Sequence, residues 1–291
     1  MYEKPLFTGV CTALVTPLYR GEVNYPMLER LLQFQIDAGI RNIVICGTTG
    51  ESPTLSDAEK LEMFRRSKDF AGNRCRIIAG TGSNCTDHAI CLSHAAEQLG
   101  VDGLLLVSPY YNKATPEGLY AHYSAIASAV RIPCIVYNVP SRTGVDIPVE
   151  VYQKLSHIPN IVGVKEASSD IGKVEQILHD CPGFSVWSGN DDQIVPVLAL
   201  GGSGVISVLS NIAPEKTKAM TDAALDGDFD TASGLQLQLL PLIRALFCEV
   251  NPIPVKAAMK EIGFDCGNCR LPLTPMHPDN LSRLQSCLPL R

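Results

Sequence analysis

The stretch "NIVGVKEASSD", residues 160–170, places a lysine at the end of a run that otherwise predicts the interior of a sheet. Ile161, Val162 and Val164 predict a strand buried on both faces, with Lys165 at its carboxyl end. Burial disfavours the charged ammonium, so Lys165 is either paired with a carboxylate such as Glu166 or is a nucleophile that forms a Schiff base. Position alone leaves both interpretations open, and a pyridoxal phosphate site also remains open at this point.

Seven other short apolar runs share this character, and segments with helical periodicity lie between them. They begin at Phe7, Asn42, Cys75, Asp102, Pro133, Phe184 and Ser203. Eight strands that alternate with helices predict an α/β fold, a (β/α)8 TIM barrel. The alternative is an open doubly wound sheet, but the chain has neither G-x-G-x-x-G nor G-x-x-x-x-G-K-[ST]. Since only helical patterns follow about Asn211, we predict a catalytic barrel over residues 1–225 and a C-terminal helical domain over 226–291.

Two helix boundaries can be predicted from local signals. Ser56 and Glu59 have the spacing of a capping box at a helix start. A second helix begins at Pro26 and ends at Gly39, where a left-handed cap is needed. Its apolar stripe consists of Met27, Leu28, Leu31, Leu32 and Ile36.

Composition narrows the class of function. The 291 residues are 46% hydrophobic and carry a net charge of −6, with no basic stripe that would favour nucleic acid or a membrane surface. No apolar run approaches the roughly 20 residues of a membrane span, and the eleven cysteines are an odd number spread through predicted strands and helices. We therefore expect a soluble, cytoplasmic protein that acts on a small molecule. The single "CGNC" pair lacks the second half of a zinc site, so no metal is predicted.

Polar residues at the other strand ends favour the nucleophile, because all strand ends of a barrel face one active site. Tyr137 follows the preceding strand and could move a proton, although a strand tyrosine is more often packed in the core. Thr48 and Thr49 in "GTTGES" could extend a hydroxyl chain, and Arg142 in "PSRTG" could clamp a carboxylate. Of the adjacent Tyr110 and Tyr111, at most one is expected to face the barrel mouth.

The combination of motifs resembles a known family. "GTTGES", "SPYYNKATPEGLYAHY", "YNVPSRTG", "GVKEAS", "SGND" and "NPIPVKAAMKEIG" are similar, in this order, to the dihydrodipicolinate synthase (4-hydroxy-tetrahydrodipicolinate synthase) family of pyruvate-dependent class I aldolases. The resemblance implies that Lys165 forms a Schiff base with pyruvate, whose enamine adds to L-aspartate 4-semialdehyde. That reaction is the first committed step towards diaminopimelate and lysine.

The resemblance also implies further roles and an assembly. Tyr137, Thr48 and Tyr111 would form a proton relay, with Tyr111 supplied across a tight-dimer interface. Thr49 would hold the pyruvate carboxylate, Arg142 the semialdehyde carboxylate, and the backbone at Gly189 and Ile206 would line the lysine pocket. A homotetramer, a dimer of dimers, is expected, without metal or organic cofactor.

The chain departs from the family pattern in two places. Asn190 stands where an aspartate is common, before Asp191 and Asp192. In the site where feedback-inhibited members bind lysine, Lys60 and His88 replace a histidine and a glutamate, while Ser52, Asn84 and Tyr110 match. A cation or neutral ring in place of those groups disfavours a bound ammonium, so we expect weak or absent feedback.

Two rival functions can be separated from this one. A sister aldolase, acting on N-acetylneuraminate or a 2-keto-3-deoxy sugar acid, would share Lys165 and Tyr137, but Thr49 and Arg142 argue against it. A non-catalytic barrel that binds an oxo acid would need the carboxylate clamp but no relay.

Overall fold

The apolar runs of the sequence form a closed parallel barrel in the computed structural model, which describes residues 5–288. Within that range the strands are β1 (Gly9–Ala13), β2 (Asn42–Ile45), β3 (Arg76–Gly80), β4 (Gly103–Val107), β5 (Cys134–Asn138), β6 (Ile161–Glu166), β7 (Ser185–Ser188) and β8 (Gly204–Ser207). Strand β1 pairs with both β2 and β8, which closes the sheet. The (β/α)8 prediction is confirmed, and the open sheet is wrong.

Helices surround the barrel and continue beyond it. They are α1 (Tyr25–Asp37), α2 (Asp57–Ala71), α3 (Thr86–Gln98), α4 (Pro116–Ala129), α5 (Pro140–Thr143), α6 (Val149–Leu155), α7 (Ile171–Asp180), α8 (Ile194–Ala199), α9 (Pro214–Leu225), α10 (Phe229–Leu246), α11 (Ile253–Glu261) and α12 (Pro278–Cys287). Short 3-10 turns lie at Ser52–Thr54, Asp191–Gln193 and Leu209–Asn211, and Leu18–Tyr19 pairs with Glu22–Val23 in a small hairpin.

The predicted helix signals are present. At the start of α2, the Glu59 amide donates to Ser56 Oγ at 3.3 Å, and the Ser56 amide donates to Glu59 Oε2 at 2.8 Å. Helix α1 starts one residue before Pro26 and ends at Asp37, and Gly39 follows with φ of +85°. That backbone conformation is unfavourable for a residue with a Cβ, which explains the glycine. In the stripe of α1, Met27 is half-buried and the other four members are buried.

The apolar core has two layers, one inside the barrel and one between the strands and the helices. Phe7 and Trp187 belong to the inner layer, where their rings stack with centroids 4.8 Å apart. Trp187 Nε1 also donates to the Phe7 carbonyl at 3.2 Å, so the indole is both packed and hydrogen-bonded. Because Phe7 precedes β1, this stack fills the amino-terminal part of the barrel and leaves the carboxyl ends of the strands for a site.

After α9 the chain continues as helices α10 to α12, and α10 packs against α8, α9 and α12. The predicted division near residue 225 thus coincides with the end of α9, and it stays a prediction because α10 packs on the barrel helices. The predicted outer limits, residues 1 and 291, lie outside the described residues.

Candidate active site

Lys165 and Tyr137 are neighbours across the β5–β6 pair. The parallel register places them opposite each other, and both side chains are buried. Lys165 Nζ lies 4.3 Å from the centroid of the Tyr137 ring. Within residues 5–288 the ammonium nitrogen has no hydrogen bond and no ion pair. The contact expected from the sequence is therefore present, and it is made with the face of the ring.

Glu166 points to the opposite side of the strand, as adjacent strand residues do. Its carboxylate accepts hydrogen bonds from Asn138 Nδ2 at 2.9 and 3.1 Å, from the Ser168 amide at 2.8 Å and from Tyr152 Oη at 3.3 Å. Burial raises the pKa of Glu166, although the charge of Lys173 and these hydrogen bonds act the other way. The carboxylate of Glu166 thus has other partners on the outer side of the barrel wall and does not pair with Lys165.

The network around Glu166 also supports the loop that carries Arg142. Asn138 Nδ2 donates to Asp146 Oδ1 at 2.8 Å, and the Ile147 amide donates to Asn138 Oδ1 at 3.1 Å. These bonds fix residues 138–147, which contain α5 and Arg142. The Arg142 side chain is exposed and, in the described part of the chain, makes no ion pair, so its guanidinium is available to a ligand.

Gly189 lies beside the side chain of Lys165. A Cβ on Gly189 would be 2.6 Å from Ala167 Cβ and 3.1 Å from Lys165 Cε, so only glycine fits there. Ile206 is fully buried inside the barrel. The replacement of the common aspartate by Asn190 leaves the neighbouring bond from the Gly189 amide to the Glu166 carbonyl in place at 2.7 Å.

The loop after β2 presents Thr48 and Thr49 in a tight turn. The Gly50 amide donates to the Gly47 carbonyl at 3.0 Å, the Glu51 amide donates to the Thr48 carbonyl at 3.1 Å, and Glu51 has φ of +57°. Thr48 is half-buried on the cavity wall, whereas Thr49 is only 2% exposed. In the described residues no hydrogen bond joins Thr48 Oγ1 to Tyr137 Oη, so the proposed relay is not closed within one chain.

A cavity of about 710 Å³ is lined by three predicted catalytic or substrate-binding residues and by all five predicted lysine-binding residues. The first group is Thr48, Tyr137 and Arg142, and the second includes Lys60 and His88. Ser52, Asn84 and Tyr110 also line it, whereas Tyr111 is 88% exposed with φ of +73° and is not part of the wall. Of the two adjacent tyrosines, Tyr110 therefore faces the cavity in the single chain.

On the cavity wall, the basic side chains of Lys60 and His88 share one carboxylate, that of Asp57. Asp57 accepts from His88 Nε2 at 2.8 Å and from Lys60 Nζ at 3.4 Å, while His88 Nδ1 lies 3.0 Å from Ser83 Oγ. Burial alone would raise the pKa of Asp57, but the hydrogen bond and charge of His88, with the charge of Lys60, lower it. Lys60 and His88 thus meet an acidic partner from their own chain.

Comparison with known proteins identifies the family to which this geometry belongs. The model of the dihydrodipicolinate synthetase family matches residues 6–289. The chain belongs to this family. A 4-hydroxy-tetrahydrodipicolinate synthase of Acetivibrio thermocellus is 49% identical over 287 residues, which are 98% of each chain.

Two solved members of the family have the same fold. The dihydrodipicolinate synthase of Acinetobacter baumannii, solved in complex with pyruvate, is 43% identical with a TM-score of 0.95 over 97% of each chain. The enzyme of Cyanidioschyzon merolae, solved with lysine bound, is 40% identical with a TM-score of 0.95 over 98% of each chain. The family and the synthase assignment predicted from the sequence are thereby confirmed, and neither rival function is favoured.

Three contacts of the loop after β2 were not predicted from the sequence, and in all three the partner comes from the C-terminal region. Asn251 Nδ2 donates to Thr49 Oγ1 at 2.9 Å. Lys256 Nζ donates to Glu51 Oε1 at 2.8 Å, with both side chains buried, and the Arg270 amide donates to Glu51 Oε2 at 2.8 Å. The sequence did contain one indication: Lys256 lies in the apolar run "NPIPVKAAM", and a buried lysine needs an acidic or hydrogen-bonding partner.

Residues 5–288 contain no group of three acidic, histidine or cysteine side chains placed to hold a metal ion. Over the same range, none of the helices combines the length and the apolar character needed to cross a bilayer. The predicted absence of a metal and of an organic cofactor stays a prediction.

Proposed function

We propose that this chain condenses pyruvate with L-aspartate 4-semialdehyde to give 4-hydroxy-tetrahydrodipicolinate, with Lys165 as the nucleophile. The carrying observation is that Lys165 is 5% exposed and has no hydrogen-bonded carboxylate within residues 5–288. No side chain of residues 5–288 is hydrogen-bonded to Lys165 Nζ, so this nitrogen is open to attack a ketone carbonyl. The pyruvate complex of the Acinetobacter baumannii relative supports the choice of oxo acid.

The chemistry follows from that nucleophile. The Lys165 amine adds to C2 of pyruvate, and the carbinolamine loses water to give an iminium ion. Loss of a proton from C3 gives the enamine, whose carbon attacks the aldehyde of the semialdehyde. The amino group of the adduct then cyclises onto C2 and releases Lys165, so the enzyme returns to its starting state without a redox step.

Proton transfers in these steps need a relay beside Lys165. We assign them to Tyr137 and Thr48, which line the same cavity, and to Tyr111 from a neighbouring subunit. Tyr111 is almost fully exposed in its own chain, which is consistent with a role in another one. This assignment requires at least a dimer, and a homotetramer built from two such dimers is the proposed assembly. The proposed location is the cytoplasm, and the proposed pathway is that of diaminopimelate and lysine.

Two carboxylate-binding groups orient the substrates in this scheme. Thr49 would hold the carboxylate of pyruvate, and Arg142 would bind the carboxylate of the semialdehyde. The Arg142 guanidinium is unpaired in the described chain and borders the cavity, as a bidentate clamp requires.

Feedback by L-lysine is proposed to be weak or absent. Lys60 places a cation on the cavity wall, and Asp57, its nearest carboxylate, is already shared with His88. A lysine ligand would have to compete for that carboxylate and tolerate a like charge. An inhibition titration with L-lysine, run beside the Cyanidioschyzon merolae enzyme as a positive control for lysine binding, should give little inhibition; a saturable loss of activity at low concentration contradicts the proposal.

The function is tested by turnover of defined aldehydes. With pyruvate present, a coupled assay should give activity with L-aspartate 4-semialdehyde and none with sugar-derived aldehydes. Borohydride reduction in the presence of pyruvate should increase the protein mass by one reduced pyruvate. An adduct without turnover of the semialdehyde would favour a sister aldolase, and failure to form an adduct would remove the Schiff-base mechanism.

A further inference from the structure

The loop that carries Thr48 and Thr49 is hydrogen-bonded to the C-terminal helical region. Glu51, at the end of the loop, is bound by Lys256 of α11 and by the backbone of Arg270. Asn251, which lies just before α11, reaches the loop itself and donates to Thr49 Oγ1 at 2.9 Å. The Glu51–Lys256 pair is almost inaccessible to solvent, so it fixes the start of α11 against the loop. Asn251 is therefore held at a defined distance from Thr49.

The direction of the bond between Asn251 and Thr49 has a chemical consequence. A hydroxyl has one hydrogen to donate and two lone pairs to accept with. Because the amide of Asn251 donates to Thr49 Oγ1, the hydroxyl hydrogen of Thr49 is not used in this bond. No other hydrogen bond of Thr49 Oγ1 exists within residues 5–288. That hydrogen therefore has no acceptor among residues 5–288, and a substrate carboxylate, which only accepts, could take it.

The orientation of the Asn251 amide is itself supported by its surroundings. Asn251 is 5% exposed, and its Oδ1 has no partner among the described residues. The opposite orientation would leave the two-donor amino group buried without a partner and would turn Thr49 into the donor. Buried unpaired donors are rarer in proteins than buried under-satisfied carbonyls. The orientation with the amino group on Thr49 is thus the more stable one.

We propose that Asn251 is a positioning residue that fixes Thr49 as a hydrogen-bond donor towards the carboxylate of the oxo-acid substrate. This inference rests on the proposed function, since it takes pyruvate as the ligand of the site. It extends the substrate site to the C-terminal region, which supplies no group to the reacting atoms. Recognition of the carboxylate then depends on the contact between α11 and the barrel loop.

Two substitutions at residue 251 separate this role from a packing role. Asn251→Asp keeps the shape but replaces the donor with acceptors, so Thr49 must turn its hydrogen towards residue 251 and a negative charge faces the substrate carboxylate. Asn251→Ala removes the bond and leaves a gap. A packing role predicts that Asn251→Ala is the more damaging of the two. The positioning role predicts the reverse for the KM of pyruvate, with a rise of about threefold to tenfold for Asn251→Ala, the value of one neutral hydrogen bond, and a larger rise for Asn251→Asp.

A double-mutant cycle with Thr49 tests the route of the effect. In a Thr49→Val background, Asn251→Ala should not raise the KM of pyruvate further, whereas in Thr49→Ser, which keeps the hydroxyl, it should. Asn73→Asp is the matched control, because Asn73 is exposed in the α2–β3 loop at the opposite end of the barrel. It should leave the KM unchanged.

The outcomes distinguish this inference from the proposed function. If the wild-type protein forms the reduced pyruvate adduct, and the KM of Asn251→Asp is equal to or below that of Asn251→Ala, the positioning role is wrong while the function stands. If the wild-type protein forms no adduct at saturating pyruvate, the proposed function fails first. The expected result is a wild-type adduct, an adduct in Asn251→Asp only at higher pyruvate concentration, and a normal adduct in Asn73→Asp.

Discussion

Two buried lysines in this protein have opposite surroundings. Lys165 and Lys256 are both buried residues, 5% and 4% exposed. Lys256 is bound by Glu51 at 2.8 Å and by the Asn268 carbonyl at 3.1 Å, whereas Lys165 meets the ring face of Tyr137. The two side chains therefore differ in their partners: Lys256 is paired with a carboxylate, whereas Lys165 has no hydrogen bond or ion pair within residues 5–288 and is the nucleophile of the proposed mechanism.

The largest expected effect is the loss of turnover in the variant Lys165→Met. Turnover should fall to the background rate, because no other side chain replaces the nucleophile. The free energy of unfolding should change by less than about 1 kcal/mol, since Lys165 makes no hydrogen bond or ion pair within residues 5–288 that the substitution would remove. Steady-state assays and urea denaturation measure the two quantities. Substantial remaining turnover would show that the Schiff base does not form on Lys165.

Lys256→Met should give the opposite pattern, with a loss of about 3–5 kcal/mol in the free energy of unfolding. The loss arises because Glu51 is left buried and uncompensated. The double variant Lys256→Met/Glu51→Gln removes both charges and should recover part of it. A single variant as stable as the wild-type protein in urea denaturation would mean that the pair does not anchor α11.

Tyr137→Phe keeps the ring beneath Lys165 but removes its hydroxyl. We expect kcat to fall about 100-fold, the effect of one general acid–base group, with a smaller change in the KM of pyruvate. Tyr123→Phe is the control, since Tyr123 Oη is buried, has no partner in the described part of the chain and is not a member of the proposed relay. Equal kcat values for Tyr137→Phe and the wild-type enzyme would remove Tyr137 from the relay.

The smallest expected effect is on the stability of a variant of Glu59. Its carboxylate binds the guanidinium of Arg270 and so connects α2 to the C-terminal region. The hydrogen bond from Arg270 lowers the pKa of Glu59 to about 2, together with those from Ser56 and against the effect of burial. A depressed pKa gives stability that is present above the unfolded value near 4.5 and is lost as the pH falls towards 2.

Glu59→Gln should therefore lower the free energy of unfolding at pH 7, by no more than about 1 kcal/mol because the pair is partly exposed. The difference from the wild-type protein should shrink between pH 4.5 and pH 2 in denaturation curves. Glu175→Gln, at an exposed position on α7, is the control and should show no such trend. A difference that grows as the pH falls would contradict the pairing.

Much of the fold could be predicted because its signals are local. Alternating strands and helices, the capping box at Ser56 and the glycine at position 39 each involve neighbouring residues. The site residues Lys165 and Tyr137 could be found because parallel strands of a barrel present their carboxyl ends on one face. Chain topology alone was sufficient to bring these two together.

The contacts between the C-terminal region and the loop after β2 could not be predicted in the same way. Glu51 and Lys256 are 205 residues apart in sequence, and no periodic pattern states which loop α11 will contact. Asn251 and Thr49 are 202 residues apart and are subject to the same limit. The role proposed for Tyr111 depends on a second chain, so neither the sequence pattern nor the structure of one chain places it in the site.

The most direct measurement is to map the reduced pyruvate adduct by peptide mass spectrometry after borohydride treatment. If the unpaired buried lysine is the nucleophile, the adduct should lie on Lys165 alone, and Lys256, which is also a buried residue, should carry none. An adduct on Lys256 or on a surface lysine, with Lys165 unmodified, would contradict the assignment of the active site.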